Sequence, residues 1–315
     1  MKAFKDAGID VVVLKGAVLA ETVYKNIGLR PMSDLDVLIK KVDLQKVKKE
    51  LSKLMYQTPV YPTKWHEQWE NEWAEEIHFT NHDKNMMNDV HWNIQSPTSP
   101  FQIDINKSWE NAQSVKIAGV ETLVFAPEDL LQHLCLHLDK EINNEITLLR
   151  WYCDIAEVIR YYGEKINWNY LVQSSKTYGL EEPIYQSLYL ADKYFGAFVP
   201  IDVLNELKTA KSTVYFEDDF ISSLTMNGEF KRKTQQNVIS FLQKLTKVAG
   251  IRNKARILFG YLFPSKEFMM QHYPIKNEKL IYVYYLIRFG TALQWGINAL
   301  WKLFLYPSKS KSKKA

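Results

Sequence analysis

Ser33-Asp34-Leu35-Asp36-Val37-Leu38-Ile39 is the stretch that decides the fold. Leu35, Val37, Leu38 and Ile39 are apolar or β-branched, which is the composition of a buried strand. Side chains alternate along a strand, so Asp34 and Asp36 point to the same face. Two carboxylates on one face repel unless a cation lies between them. Magnesium, with manganese as the alternative, takes oxygen ligands and prefers one or two carboxylates plus substrate phosphates. The chemistry this pair points to is metal-assisted attack on a nucleotide phosphate.

Upstream, Val11-Val12-Val13-Leu14 reads as a strand ending at Lys15-Gly16. Ala17 to Asn26 then carries helical spacing, with Val18, Leu19, Thr22 and Val23 on neighbouring turns. Gly28 stops that helix, and Arg30-Pro31 opens the turn into the strand of the two aspartates. The glycine at 16 lets backbone approach a ligand, and the helix behind it offers unpaired amides to phosphate oxygens.

Leu14-Lys15-Gly16-Ala17, Gly28-Leu29-Arg30 and Ser33 to Leu38 together resemble the uncharacterised nucleotidyltransferase family of bacteria, within the polymerase-beta-like superfamily. Asn88-Asp89-Val90-His91-Trp92 is similar to that family's Asp-x-His-Trp strand. Pro127-Glu128-Asp129-Leu130-Leu131, Arg150-Trp151-Tyr152-Cys153-Asp154 and Ile166-Asn167-Trp168 extend the likeness, which spans residues 8–200. The resemblance implies an α+β fold: a nucleotidyltransferase-type mixed sheet with flanking helices, followed by a helical domain. It implies Asp34 and Asp36 as metal ligands, and Asp89 as a third ligand or general base. His91 shares a strand face with Asp89 and either lies in the cleft or packs as a half-buried side chain.

The chain departs from the wider superfamily in one place. The first strand usually ends in Gly-Ser or Gly-Gly, but here the segment is Lys15-Gly16-Ala17, without a hydroxyl. Lys15 as a point charge and Arg30 as a bidentate fork are the candidates to hold phosphate. Each also has the alternative of pairing with an acid. Ser33 and His137 complete the expected nucleotide contacts.

The chain has 315 residues, 46% hydrophobic and 24% charged, ordinary for a globular protein with room for two cores. Cys135 and Cys153 fall in apolar helical patterns, which predicts buried free thiols in a reducing compartment. Met1 to Asp10 lacks the apolar core of a secretory signal, so a cytoplasmic location is expected. The catalytic motif begins close to Met1, which suggests a short or missing amino-terminal extension relative to the family. The net charge is +4. Residues 307–315 hold four lysines and no acid, and the rest of the chain balances at 36 basic and 36 acidic residues. A protein that tracks a nucleic-acid backbone carries a basic surplus on its body, so no extended nucleic-acid binding is expected.

Three regions follow: a catalytic domain over 1–125, a helical domain over 126–270, and an amphipathic helix with a basic tail over 271–315. Trp65, Trp69 and Trp73 recur every four residues and stack on one helix face, which predicts packing on the catalytic sheet or a platform for a base or sugar. Leu130, Leu131, Leu134, Leu138 and Leu149, Ile155, Val158, Ile159 give helical periodicity. His133 and His137 have a zinc-like spacing, but the residue after His133 is Leu134 where a metalloprotease needs Glu. Arg150 and Asp154 are spaced to pair on a helix surface. The sequence contains no internal repeat.

Residues 277–306 form a long apolar run. Arg288, Thr291, Gln294, Asn298 and Lys302 fall three or four apart and share one face, which a spanning helix would rarely keep. Two readings stay open: packing on the body, or peripheral docking of 277–315 on an anionic membrane surface.

The expected activity is magnesium-dependent transfer of a nucleoside monophosphate from a nucleoside triphosphate such as ATP to a hydroxyl acceptor, with release of pyrophosphate. The acceptor classes are a sugar, a natural-product precursor, a peptide or a protein. The alternatives are a nucleotide-binding regulator on the same fold without turnover, and a protein-modifying module of the toxin–antitoxin or defence kind.

Overall fold

In the computed structural model of the chain, the described residues are 1–83, 85–97, 99–143, 149–209, 245–246, 248, 250–275, 277–291 and 294. They group into two compact units, Met1–Thr58 with Trp73–Gln243, and Pro59–Glu72 with Lys244–Ala315.

The first unit is built on six strands: β1 (Val11–Val13), β2 (Asp34–Ile39), β3 (Glu76–Asn81), β4 (Met86–His91), β5 (Gln113–Ile117) and β6 (Val120–Val124), in the order β3-β4-β2-β1-β6-β5. The sheet is mixed. β1 pairs antiparallel with β2 and parallel with β6, and β2 runs parallel to β4. β3 lies antiparallel to β4, and β5 to β6.

Alternation on these strands feeds two cores. Val11, Val37, Ile39, Ile77, Phe79 and Val90 pack with Phe4 of α1 (Lys2–Asp6) and with Leu44, Val47 and Leu51 of α3 (Leu44–Lys53). The three- and four-residue spacing of those leucines and valine is what makes α3 one-faced. On the opposite face Val12, Leu14 and Leu38 join Leu130, Leu131, Leu134 and Leu138 of α6 (Pro127–Asn143) and Ile155 and Val158 of α7 (Leu149–Tyr162). That second core continues into α8 (Trp168–Tyr178), α9 (Glu181–Phe195) and α10 (Ile201–Leu207). Leu38 is fully buried at this junction, and truncating such a residue to Ala costs ~2–5 kcal/mol. The sheet and α6–α10 therefore share one core, so the change from strands to helices near residue 125 falls inside one compact unit.

Some expected elements shift. The helix after β1 starts at Lys15, as α2 (Lys15–Val18), and widens into a π turn over Leu19–Val23. Lys15 itself takes a left-handed φ of 43°. Gly16 lies inside that first turn, where an added Cβ would come within 3.3 Å of Met32 Cβ. Its missing side chain lets α2 approach the segment before β2. The Asp-x-His strand begins at Met86 and ends at His91. A short α5 (Ile105–Glu110) leads into β5. Cys135 is buried and Cys153 half-buried, both as free thiols.

The second unit contains residues 64–72 of α4 (Lys64–Trp73), α11 (Ile251–Leu262), α12 (Lys266–His272) and a helix over 281–291. Within this unit the start of α4 meets α11. His66 of α4 meets Tyr261 of α11 edge-on at 4.5 Å, and a Cβ on Gly260 would sit 2.6 Å from the His66 ring. Trp65 holds the Arg256 guanidinium over its ring at 4.7 Å. The packing partner of this part of α4 is thus α11.

Candidate active site

β2 and β4 are in parallel register with Asp36 opposite Asp89. Across the next antiparallel pair, Asp89 faces His78 and His91 faces Glu76. One row over three strands therefore reads Asp36, Asp89, His78, with Asp34 two residues up and His91 two residues on. All share the face on which Leu38 meets α6, because positions two apart on a strand point the same way.

These side chains line a pocket of ≈ 260 Å³ whose other wall is α6, through His133, His137, Lys140 and Glu141. The positions 133, 137 and 141 are four apart and form one polar stripe beside the leucines of α6. Of the residues expected from sequence, the pocket gathers Lys15, Asp34, Asp36, Asp89, His91 and His137.

Asp36 is the most engaged carboxylate. Lys15 Nζ donates to its Oδ1 at 2.9 Å, and His91 Nε2 lies 3.1 Å from the same oxygen. Burial pushes the Asp36 carboxyl up, but the His91 hydrogen bond and the Lys15 charge outweigh it and hold the group well below the usual range. His91 Nε2 is also 3.0 Å from Glu76 Oε2, so one N–H is shared between two carboxylates. Asp34 behaves oppositely. Burial raises it first, then the charges of Asp36 and Asp89. Its side chain has a weak contact with Ser33 Oγ at 3.4 Å.

Asp89 Oδ1 lies 2.7 Å from His78 Nδ1, and that hydrogen bond, against burial, raises the histidine pKa. On α6, burial lowers both His133 and His137 well below the ordinary histidine value. His133 Nε2 is buried without a hydrogen-bond partner. Glu141 comes to 4.0 Å of His137 Nδ1, but a neutral histidine makes no ion pair, and burial raises Glu141. Lys140 instead pairs with Glu75 at 2.9 Å.

Arg30 pairs with an acid, one of the two roles the sequence left open. It lies outside the pocket lining and is buried against Asp154 of α7, with Nε 2.8 Å from Oδ1 and Nη2 2.8 Å from Oδ2. Tyr24 donates to the same Asp154 Oδ1 at 3.0 Å. The Arg30–Asp154 pair displaces the expected Arg150–Asp154 contact, and Arg150 donates to the Pro31 carbonyl at 3.2 Å. Gly16 and Ser33 also lie outside the lining.

A divalent cation is the group these carboxylates imply, and their chemistry fits it. The donors are hard oxygens, and burial together with the charges of Asp36 and Asp89 raises the Asp34 carboxyl more than Lys15 lowers it. Among the described residues, no three His, Cys, Asp or Glu side chains are already drawn together at metal-holding geometry.

Sequence reasoning missed Glu76 and His78, whose Glu-x-His alternation on β3 mirrors Asp89-x-His91 on β4. It also missed Glu75, Lys140 and Glu141; the four-residue spacing from His133 and His137 was a signal for Glu141 only.

The model of the uncharacterised nucleotidyltransferase family matches residues 1–196. The chain belongs to that family. This nucleotidyltransferase is similar in structure to the solution structure of the antibiotic-resistance factor ANT(2'')-Ia, at 10% identity and a TM-score of 0.37, over 62% of this chain and 91% of that one. It is also similar to a crystal structure of ANT(2")-Ia in complex with adenylyl-2"-tobramycin, at 8% identity and a TM-score of 0.40, over 56% and 92% of the two chains. No curated protein matches the chain.

Proposed function

We propose that this nucleotidyltransferase moves a nucleoside monophosphate from a magnesium-bound nucleoside triphosphate to a hydroxyl acceptor. The observation that carries the reading is the row Asp36–Asp89–His78 with Asp34 beside it, closed from above by Lys15. Asp34, Asp36 and Asp89 would hold the cation, with manganese as the substitute. Bound there, the metal neutralises phosphate charge and acidifies the acceptor hydroxyl.

Each protein group then has a task. Lys15 trades its contact with Asp36 for an outer phosphate, as a compact ammonium with three donors can. Asp89 takes the acceptor proton, and His78 keeps its carboxylate oriented. The acceptor oxygen forms its bond to the α-phosphorus while the bond to the bridging oxygen breaks, and pyrophosphate leaves with that electron pair. His133, His137 and Glu141 form the wall facing this row and would meet the acceptor. The neutral imidazoles offer hydrogen bonds to hydroxyls without repelling a cation.

A second reading, nucleotide binding without turnover, draws on the Lys15–Asp36 ion pair and the absent hydroxyl at 15–17. Asp36→Asn separates the two. Turnover predicts loss of pyrophosphate release by at least about a thousandfold, the scale of removing a positioned charged group, in a variant that still folds but melts lower because its Lys15 ion pair is gone. Equal release from Asp36→Asn and the parent chain overturns the assignment. Absence of release from the parent with each of the four triphosphates, alongside binding, selects the second reading.

A further inference from the structure

The charge balance of the whole chain hides an asymmetry. Residues 244–315 contain 14 Lys or Arg and 2 Asp or Glu, while the remainder contains 26 and 34. Of the two acids, Glu278 already pairs with Lys266 at 2.7 Å. The basic surplus therefore belongs to one stretch, and the lysine-rich segment 307–315 is only part of it.

The helix over 281–291 is turned in an unusual sense. Its cation faces inward: Arg288 Nε donates to the Tyr261 carbonyl at 2.7 Å, Nη1 lies 3.2 Å from Tyr273 Oη, and the guanidinium stands over the Phe268 ring at 5.2 Å. Its apolar side faces out. Tyr282 and Leu286, one turn apart, are each 74% exposed, and Val283 and Ile287 beside them are 49% exposed. The patch continues onto α11, where the Phe263 ring lies 4.8 Å from Phe259 and 6.5 Å from Phe289. A helix that only packs on its own protein keeps the opposite orientation.

We propose that this face docks on an anionic lipid surface. The helix over 281–291 would lie in the plane of the interface with Leu286 and Ile287 at the acyl boundary. The basic composition of 244–315 favours an anionic surface over a neutral one, a combination in which burial and charge act together. A nucleic acid could stack on the exposed rings of Tyr282 and Phe259, but it would leave the exposed aliphatic side chains Leu286, Val283 and Ile287 without a partner, and a lipid surface takes both kinds. Among the described residues, no helix is long and apolar enough to cross a membrane, so the contact is peripheral.

The test is flotation of the full chain with phosphatidylcholine vesicles, with and without about a quarter phosphatidylserine. The expected result is at least about tenfold more bound protein on the anionic vesicles, weakening as salt rises. Leu286→Ser/Ile287→Ser, and separately Phe259→Ser on the other helix, should each lower that binding by at least about tenfold. All three positions are exposed, so the variants should keep the parent thermal transition. No flotation of the parent overturns the proposal. Binding that both variants leave unchanged also overturns it, since the cations alone would then explain the contact. Binding of polyuridylate without vesicle binding assigns the surface to nucleic acid.

Discussion

Arg30 and Asp154 show what one buried ion pair does at the scale of single residues. Asp154 is fully buried, and burial raises its carboxyl even though Arg30 and Tyr24 act against that shift. The desolvation of the charge thus exceeds what its partners return, which is the usual balance for an ion pair out of water. Removing one partner leaves the other charge buried and alone. Arg30→Met should therefore destabilise by ~3–5 kcal/mol in chemical denaturation, and Arg30→Met/Asp154→Leu should recover most of that loss. A double variant as unstable as the single one would mean that the pair itself stabilises the fold. The sequence could not place this pair, because its members stand 124 residues apart and no local pattern links them. Asp34, Asp36, Asp89 and His91 were legible for the opposite reason. Strand alternation sets their common face within a few residues.

At the scale of elements, α6 carries two jobs on one cylinder. Leu130, Leu131, Leu134 and Leu138 hold it to the sheet, and His133, His137 and Glu141 look into the pocket. The leucine period was visible in sequence, but the partner of the polar stripe was not, because periodicity gives a face and not what that face meets. The stripe has a consequence for acid stability. Burial keeps both histidines neutral in the folded state, below an unfolded value of about 6.5. Below that pH the unfolded chain binds more protons than the folded one, so stability falls as pH falls. The slope should approach ~2.7 kcal/mol per pH unit for two protons. His133→Leu should remove about half of that slope in urea titrations between pH 5 and 7. An unchanged slope would mean that His133 is protonated in the folded protein. The same histidines have a zinc-like spacing in sequence, and in the structure burial keeps both neutral, with His133 Nε2 lacking a hydrogen-bond partner.

At the scale of the molecule, a ligand that binds only the folded chain raises its stability. Magnesium with a triphosphate at ~100 times its dissociation constant should add ~2.7 kcal/mol, a thermal shift of several degrees. The shift should vanish in Asp34→Ala/Asp36→Ala, and a shift that survives there would place the nucleotide elsewhere. Charge was misleading at this scale: a near-zero count over the body conceals a strongly basic stretch over 244–315. The mixed sheet was legible only through family resemblance and its strand order not at all, since pairing between distant strands leaves no mark in local sequence. That distant pairing also sets when the site comes into being. Asp36 and His91 are separated by 55 positions along the chain, and β1 must find β6 across an even longer loop. Such contacts form late and slowly because a long loop must close before they return any energy. During refolding, helices will appear well before the carboxylate row exists. Regain of nucleotide binding is therefore a clock for the closing of the sheet, and its lag behind the recovery of helical signal measures how long the chain spends collapsed but inactive.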